Sequence, residues 1–118
     1  MTASLLGKWG EALAAEFLRK KGFSIVAANY KTRFGEIDLI AEDKKTVVFV
    51  EVKLRKNAKF GNPAEFVTFS KQKKLRASAE IWLSQNDTEK NLRFDVIEIY
   101  APDGISENHT INQIENAF

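Results

Sequence analysis

The sequence predicts an α/β fold with the element order α-β-β-β-α-β, and three observations carry that expectation. Two stretches, 4–21 and 70–85, place apolar residues at helical spacing. Between them, Val47, Val48, Phe49, Val50 and Val52 form a run of β-formers that is apolar on both faces. That run and a shorter one, Ile37 to Ala41, flank a polar tip at Glu42, Asp43, Lys44 and Lys45, the pattern of a hairpin.

In chain order, the first helix runs over 4–21. Ser4 stands where an N-cap is needed and Gly22 just past the C-terminus. Leu6, Trp9, Leu13 and Phe17 make its apolar stripe, Glu11 lies off that stripe, and Arg19, Lys20 and Lys21 suit the negative end of the helix dipole. Phe23 to Lys31 reads as a first strand, with Asn29 beginning a turn toward Gly35. The hairpin of 37–52 follows. Residues 56–66, holding Gly61 and Pro63, read as a loop whose Lys56, Lys59 and Phe60 suit a nucleic-acid groove as well as they suit a plain surface loop. The second helix, 70–85, has Ser70 as its expected cap and turns Leu75, Ala79, Trp82 and Leu83 inward. Lys71 opposes the dipole there, which suggests it is kept for a contact rather than for helix stability. Leu92 to Tyr100 is a fourth strand, Pro102-Asp103-Gly104 a turn, and Ile111, Ile114 and Phe118 are placed to pack back from the tail.

Composition bounds the possibilities. At 118 residues the chain is expected to form one domain, and with 44% apolar residues, 9 Phe and 2 Trp it can fill a core. No run approaches the roughly 20 apolar residues of a membrane span, and the N-terminus lacks the basic-then-apolar pattern of a signal peptide. With 0 Cys, disulfides and thiolate metal sites are excluded, and the cytoplasm is the default compartment. The net charge of +2 hides an uneven distribution: residues 53–76 carry 8 basic groups and 1 acidic, whereas 77–118 carry 2 basic and 8 acidic. The basic segment fits a polyanion footprint, although solubilising lysines are the commoner cause of such helices.

The hairpin holds the chemistry. If Lys44-Lys45 is a two-residue turn, Asp43 faces Thr46 and Asp38 faces Glu51, with Cβ atoms about 4.5–5.5 Å apart. Lys53, two residues beyond Glu51, shares that face. Taken alone, a Glu-Val-Lys triplet is more often a solvated strand face. Here Val47 and Phe49 share parity with the charged pair, which points instead to an inner strand with charges at its tip. Two carboxylates this close repel unless a cation lies between them, and oxygen donors with an open position suit magnesium or manganese. The only His, His109, lies in the tail and reads as an ordinary surface residue, so no Ser/His/Asp site competes.

Gly10-Glu11, Gly35-Glu36-Ile37-Asp38-Leu39-Ile40, Val48-Phe49-Val50-Glu51-Val52-Lys53, the Phe60-Gly61 loop, Lys71, Arg93-Phe94-Asp95-Val96-Ile97 and the terminal Asn116-Ala117-Phe118 closely resemble the YraN family over nearly the whole chain. That family is similar to archaeal Holliday-junction resolvases and to the PD-(D/E)xK nucleases. The resemblance implies a restriction-endonuclease-like core, a mixed sheet flanked by helices. It maps Asp38, Glu51 and Lys53 onto the nuclease signature and Glu11 onto the helix acid of resolvases. Ile37 stands where the signature has proline.

The resulting expectation is a metal-dependent DNA endonuclease of Holliday-junction-resolvase-like type. Asp38, Glu51 and Glu11 would hold Mg2+ or Mn2+, with Lys53 beside the reacting phosphate. Arg55, Lys56, Lys59, Lys71, Lys73 and Lys74 would contact the nucleic-acid backbone. DNA, branched forms among the candidates, and a second copy of the chain are the partners this reading carries. A non-catalytic nucleic-acid-binding module with the same fold is the alternative. A protein-interaction subunit using its acidic C-terminal third is a more distant one.

Overall fold

The computed structural model describes residues 4–57 and 67–118. The order is α1 (Leu5–Lys20), β1 (Ser24–Thr32), β2 (Gly35–Glu42), β3 (Thr46–Arg55), α2 (Phe69–Gln85), β4 (Asn91–Tyr100) and β5 (Thr110–Ile114). The strands form one sheet in sequence order, β1-β2-β3-β4-β5. β1, β2 and β3 are joined antiparallel, β3 and β4 run parallel, and β5 returns antiparallel to β4. The parallel step needs a crossover, and α2 supplies it.

The helices cover opposite faces. Ala14, Ala15 and Leu18 of α1 pack with Leu39, Ala41, Val48, Val50, Ile97 and Ile99. Leu75, Ala79 and Trp82 of α2 pack with Ile37, Ile40, Val47, Phe49 and Val96. Strand alternation sorts the residues of β3: Val48 and Val50 face α1, whereas Val47 and Phe49 face α2. Apolar residues on both faces are what a central strand between two layers requires.

Several local expectations shift. Ser4 caps α1 as expected, its side chain accepting from the Gly7 N–H at 2.9 Å. Gly22 closes it with φ 95, a conformation glycine adopts without a steric penalty. The residues α1 buries fully are Gly10, Ala14, Ala15 and Leu18, while Trp9, Leu13 and Phe17 pack only partly. Small residues set the closest approach: a Cβ on Gly10 would stand 3.0 Å from the Leu54 side chain. β1 runs on to Thr32, so Asn29 lies inside the strand rather than starting a turn, and it carries φ 51. α2 is capped by Thr68, which accepts from the Lys71 N–H at 3.2 Å, and Ser70 falls within the helix.

The tail forms β5, with Ile111 packing on the α1 side and Ile114 and Phe118 on the α2 side. His109 is half-buried, its ring edge-on to Trp9 at 5.4 Å. Gly61, Pro63 and the rest of the expected 56–66 loop beyond Asn57 lie outside the described residues.

Candidate functional site

The hairpin register is set by its turn. Asp43 Oδ1 accepts from the N–H groups of Lys45 and Thr46 at 2.9 and 2.8 Å, and the Asp43 N–H donates to the Thr46 carbonyl at 3.0 Å. Pairing then runs Glu42 with Val47, Ala41 with Val48, Ile40 with Phe49 and Leu39 with Val50. One step further the same register sets Asp38 opposite Glu51, as the two-residue turn predicts. The backbone ladder ends there, and the Asp38 carboxylate takes over: Oδ2 accepts from the Val52 N–H at 2.8 Å.

Alternation also breaks at this point. Ile37 and Ile40 belong to the same cluster on the α2 side, which strict period-two pleating forbids. Asn29, in the left-handed region, falls between the pairs Ala28–Leu39 and Tyr30–Ile37, across from Asp38. The irregularity puts Ile37 on the α2 side, while Asp38 keeps the parity of Ile40 and so the face of Glu51.

Glu51 is 4% exposed, although it is charged. Its parity with Val47 and Phe49 aims it at α2, and the Lys71 ammonium from the first turn of that helix ion-pairs with Glu51 Oε2. Lys53 lies on the same side, close enough to Lys71 for the two ammonium groups to interact. Two carboxylates and two ammonium groups thus converge at one end of the central strands.

Their protonation reflects that crowding. Burial, followed by hydrogen bonding and repulsion from Glu51, pushes Asp38 up to about 8, with a smaller push from Glu11. Burial and the neighbouring Lys71 charge lower Lys53. Burial alone would lower Lys71 too, but its contact with Glu51 outweighs that and leaves it raised.

Glu11 stands apart from the pair. It lies on the wall of a cleft of about 300 Å³ between α1 and β1, with Lys8, Arg19 and Asn29 among its neighbours. Among the described residues, no three Asp, Glu, His or Cys side chains are grouped to hold a metal ion. The donor set that would hold one is Asp38 and Glu51, hard oxygen donors. Magnesium keeps several waters and uses one or two protein carboxylates, so the chemistry of the pair fits it.

The expected phosphate contacts divide. Lys56, Lys73 and Lys74 are exposed, and Lys73 rests over the Phe69 ring at 5.0 Å. Arg55 is turned inward: its side chain is 8% exposed and its Nε donates to Glu98 at 2.7 Å. That placement makes Arg55 a brace between β3 and β4 rather than a backbone contact. Lys59 and Phe60 lie outside the described residues. The sequence reading gave no role to Asp95, which is fully buried on β4 and accepts from Arg93, Gln113 and the Asn116 N–H. The alternation of Arg93 and Asp95 within an apolar strand was the available signal.

A five-stranded mixed sheet between two helices, with carboxylates at the end of its central strands, is consistent with a restriction-endonuclease-like core. Residues 10–99 match the model of the uncharacterised protein family UPF0102, and the chain belongs to that family, the YraN family of the sequence resemblance. It is 49% identical to a UPF0102 protein of Nocardia farcinica, over 84% of this chain and 79% of the relative. It is 46% identical to one from Caldicellulosiruptor bescii over 100% of both chains. A relative from Vibrio parahaemolyticus is also 46% identical, over 95% of this chain and 90% of its own. The matched span contains Glu11, Asp38, Glu51, Lys53 and Lys71. No helix among the described residues is long and apolar enough to cross a membrane.

Proposed function

We propose that the protein is a magnesium-dependent DNA endonuclease of the Holliday-junction-resolvase-like type, with Asp38, Glu51 and Lys53 as its working residues. The observation that carries this reading is the convergence of a buried carboxylate, a second carboxylate and two ammonium groups at the end of β2 and β3. Burying such charges without a ligand for them is costly. Bound magnesium would supply Lewis-acid polarisation of the scissile phosphate and a more acidic water. Asp38 is oriented by the Val52 N–H. Glu51 is fixed by its place on the central strand. Lys53, whose pKa is lowered by burial and by Lys71, would orient a water or stabilise charge developing on the phosphate. Lys56, Lys73 and Lys74 hold the backbone without reading sequence.

A purified chain tested on branched and linear DNA, with magnesium, manganese or chelator, decides the matter. Cleavage should require the metal and be lost in Asp38→Asn and Glu51→Gln. Lys53→Met keeps most of the apolar stem. It should bind DNA within a few-fold of wild type and cleave about 10²-fold more slowly, the scale of losing one positioned electrostatic group. Equal cleavage by Lys53→Met would remove the lysine from the chemistry.

One observation favours the alternative of a non-catalytic nucleic-acid-binding module: the Lys71 ammonium already ion-pairs with the buried Glu51 carboxylate. Salt-dependent DNA binding with no metal-dependent cutting of any substrate would establish that reading.

A further inference from the structure

Lys71 enters the carboxylate pair from a different element than the residues it touches. Glu51 and Lys53 are fixed on β3 and Asp38 on β2, whereas Lys71 reaches down from the first turn of α2. Its side chain is 39% exposed, against 5% for that of Glu51. The ammonium therefore stands between a buried carboxylate and solvent, on a partly exposed stem. A cation at the first turn also opposes the helix dipole, so α2 itself does not favour it there.

A carboxylate oxygen in contact with an ammonium has no room for a magnesium or manganese ion at about 2.1 Å on the same side. We propose that Lys71 occupies the place on Glu51 that a divalent cation takes. On this proposal, which rests on the metal-dependent reading above, the arriving ion displaces the ammonium toward a backbone phosphate of the nucleic acid. With Lys71 withdrawn, Asp38, Glu51 and Lys53 leave one net negative charge when both acids are ionised, which suits a divalent ion. With Lys71 on a phosphate, the same charge strengthens the grip on the nucleic acid. Metal and nucleic acid each favour the state in which Lys71 has left Glu51, so each must tighten binding of the other by the same factor.

The test is calorimetric titration of manganese chloride into the full chain, alone and with a cleavage-resistant phosphorothioate duplex. Wild type should bind manganese weakly alone and about fivefold or more tightly with the duplex, the lower end of ordinary site–site coupling. Lys71→Met, which keeps the stem, should bind manganese alone about tenfold more tightly than wild type, the scale of removing one charged hydrogen bond. In that variant the duplex should tighten manganese binding by a smaller factor than in wild type, leaving only the direct attraction of metal and phosphate. Lys71→Gln serves as a second variant, with melting temperatures recorded for both, in case the unbalanced carboxylates weaken one fold. If wild type binds manganese and neither variant binds it more tightly, Lys71 is not the displaced cation and this proposal falls while the nuclease reading stands. If neither wild type nor the variants bind manganese, with or without the duplex, both fall.

Discussion

At Asp38 a single side chain does three things: it ends the β2–β3 ladder, holds the Val52 N–H and faces Glu51. The cost of that placement is visible in its protonation. The folded protein keeps the Asp38 proton up to about 8, whereas the ordinary value is 3.8. A carboxyl raised by folding contributes its full stabilising effect below about pH 4, and that contribution drains away as pH rises toward about 8. Asparagine cannot ionise, yet its amide oxygen can still accept from Val52 and its NH2 group can donate to Glu51. With chelator present, Asp38→Asn should therefore match wild type near pH 4, gain on it steadily to about pH 8 and hold a constant advantage above that. Melting temperatures of both proteins across this range check the sign. A difference that stays flat from pH 4 to 8 would show that Asp38 titrates as an ordinary surface acid.

Among the elements, β5 is tied to its neighbouring strand by a buried acid. Its five residues, Thr110 to Ile114, have only a weak alternating pattern. Asp95 on β4 anchors the segment, accepting from Gln113 Nε2 at 2.8 Å and from the Asn116 N–H at 3.0 Å, with Arg93 Nε and Nη2 each at 2.9 Å. Beyond it, the Ala117 N–H donates to the Phe94 carbonyl, and the Phe118 ring lies 5.3 Å from that of Phe94. Asp95→Ala leaves a partly buried guanidinium and two further donors without their acceptor, a loss of about 3 kcal/mol. Urea unfolding should register it, with the amides of β5 losing hydrogen-exchange protection first. Unchanged β5 protection would move the anchor elsewhere. The same dependence explains why the tail was not legible as a strand: its pairing is dictated by a buried acid 15 residues upstream of Thr110. The hairpin was legible because a two-residue turn and period-two alternation together fix one register. The cap of α2 was misplaced by two residues because Thr68 and Ser70 are both competent caps, and only backbone geometry chooses between them. At Ile37, one residue before Asp38, alternation fails beside an irregularity no local pattern carries, left-handed Asn29 on β1.

Across the whole molecule, the fold redistributes the charge that the sequence lays out in blocks. The acidic C-terminal third is partly consumed internally, Glu98 by Arg55, and Asp95 and Glu115 by Arg93. Both sheet edges are poor templates for continuing the sheet into a second copy. β1 has a register shift between Ile25 and Ala27 and left-handed Asn29, and β5 is short. What remains for a polyanion is cationic surface on α2 and after β3. The described basic residues of 53–76 are therefore not one footprint, and substitution separates the exposed from the inward-turned. Lys73 and Lys74 are exposed on α2. Replacing both by Gln should leave the melting temperature near that of wild type and make the slope of log K against log salt on duplex DNA shallower by about 1.8, that is 0.9 for each phosphate no longer neutralised. Arg55→Gln should do the reverse. It removes a guanidinium whose side chain is 8% exposed and bonded to Glu98 at 2.7 Å, so it should lower the unfolding midpoint while leaving the salt slope unchanged. Salt titrations by fluorescence anisotropy, beside urea melts of the same two proteins, distinguish these outcomes. If Arg55→Gln flattens the salt slope and the lysine pair does not, the proposed nucleic-acid contact lies on the β3 side of the carboxylates rather than on α2.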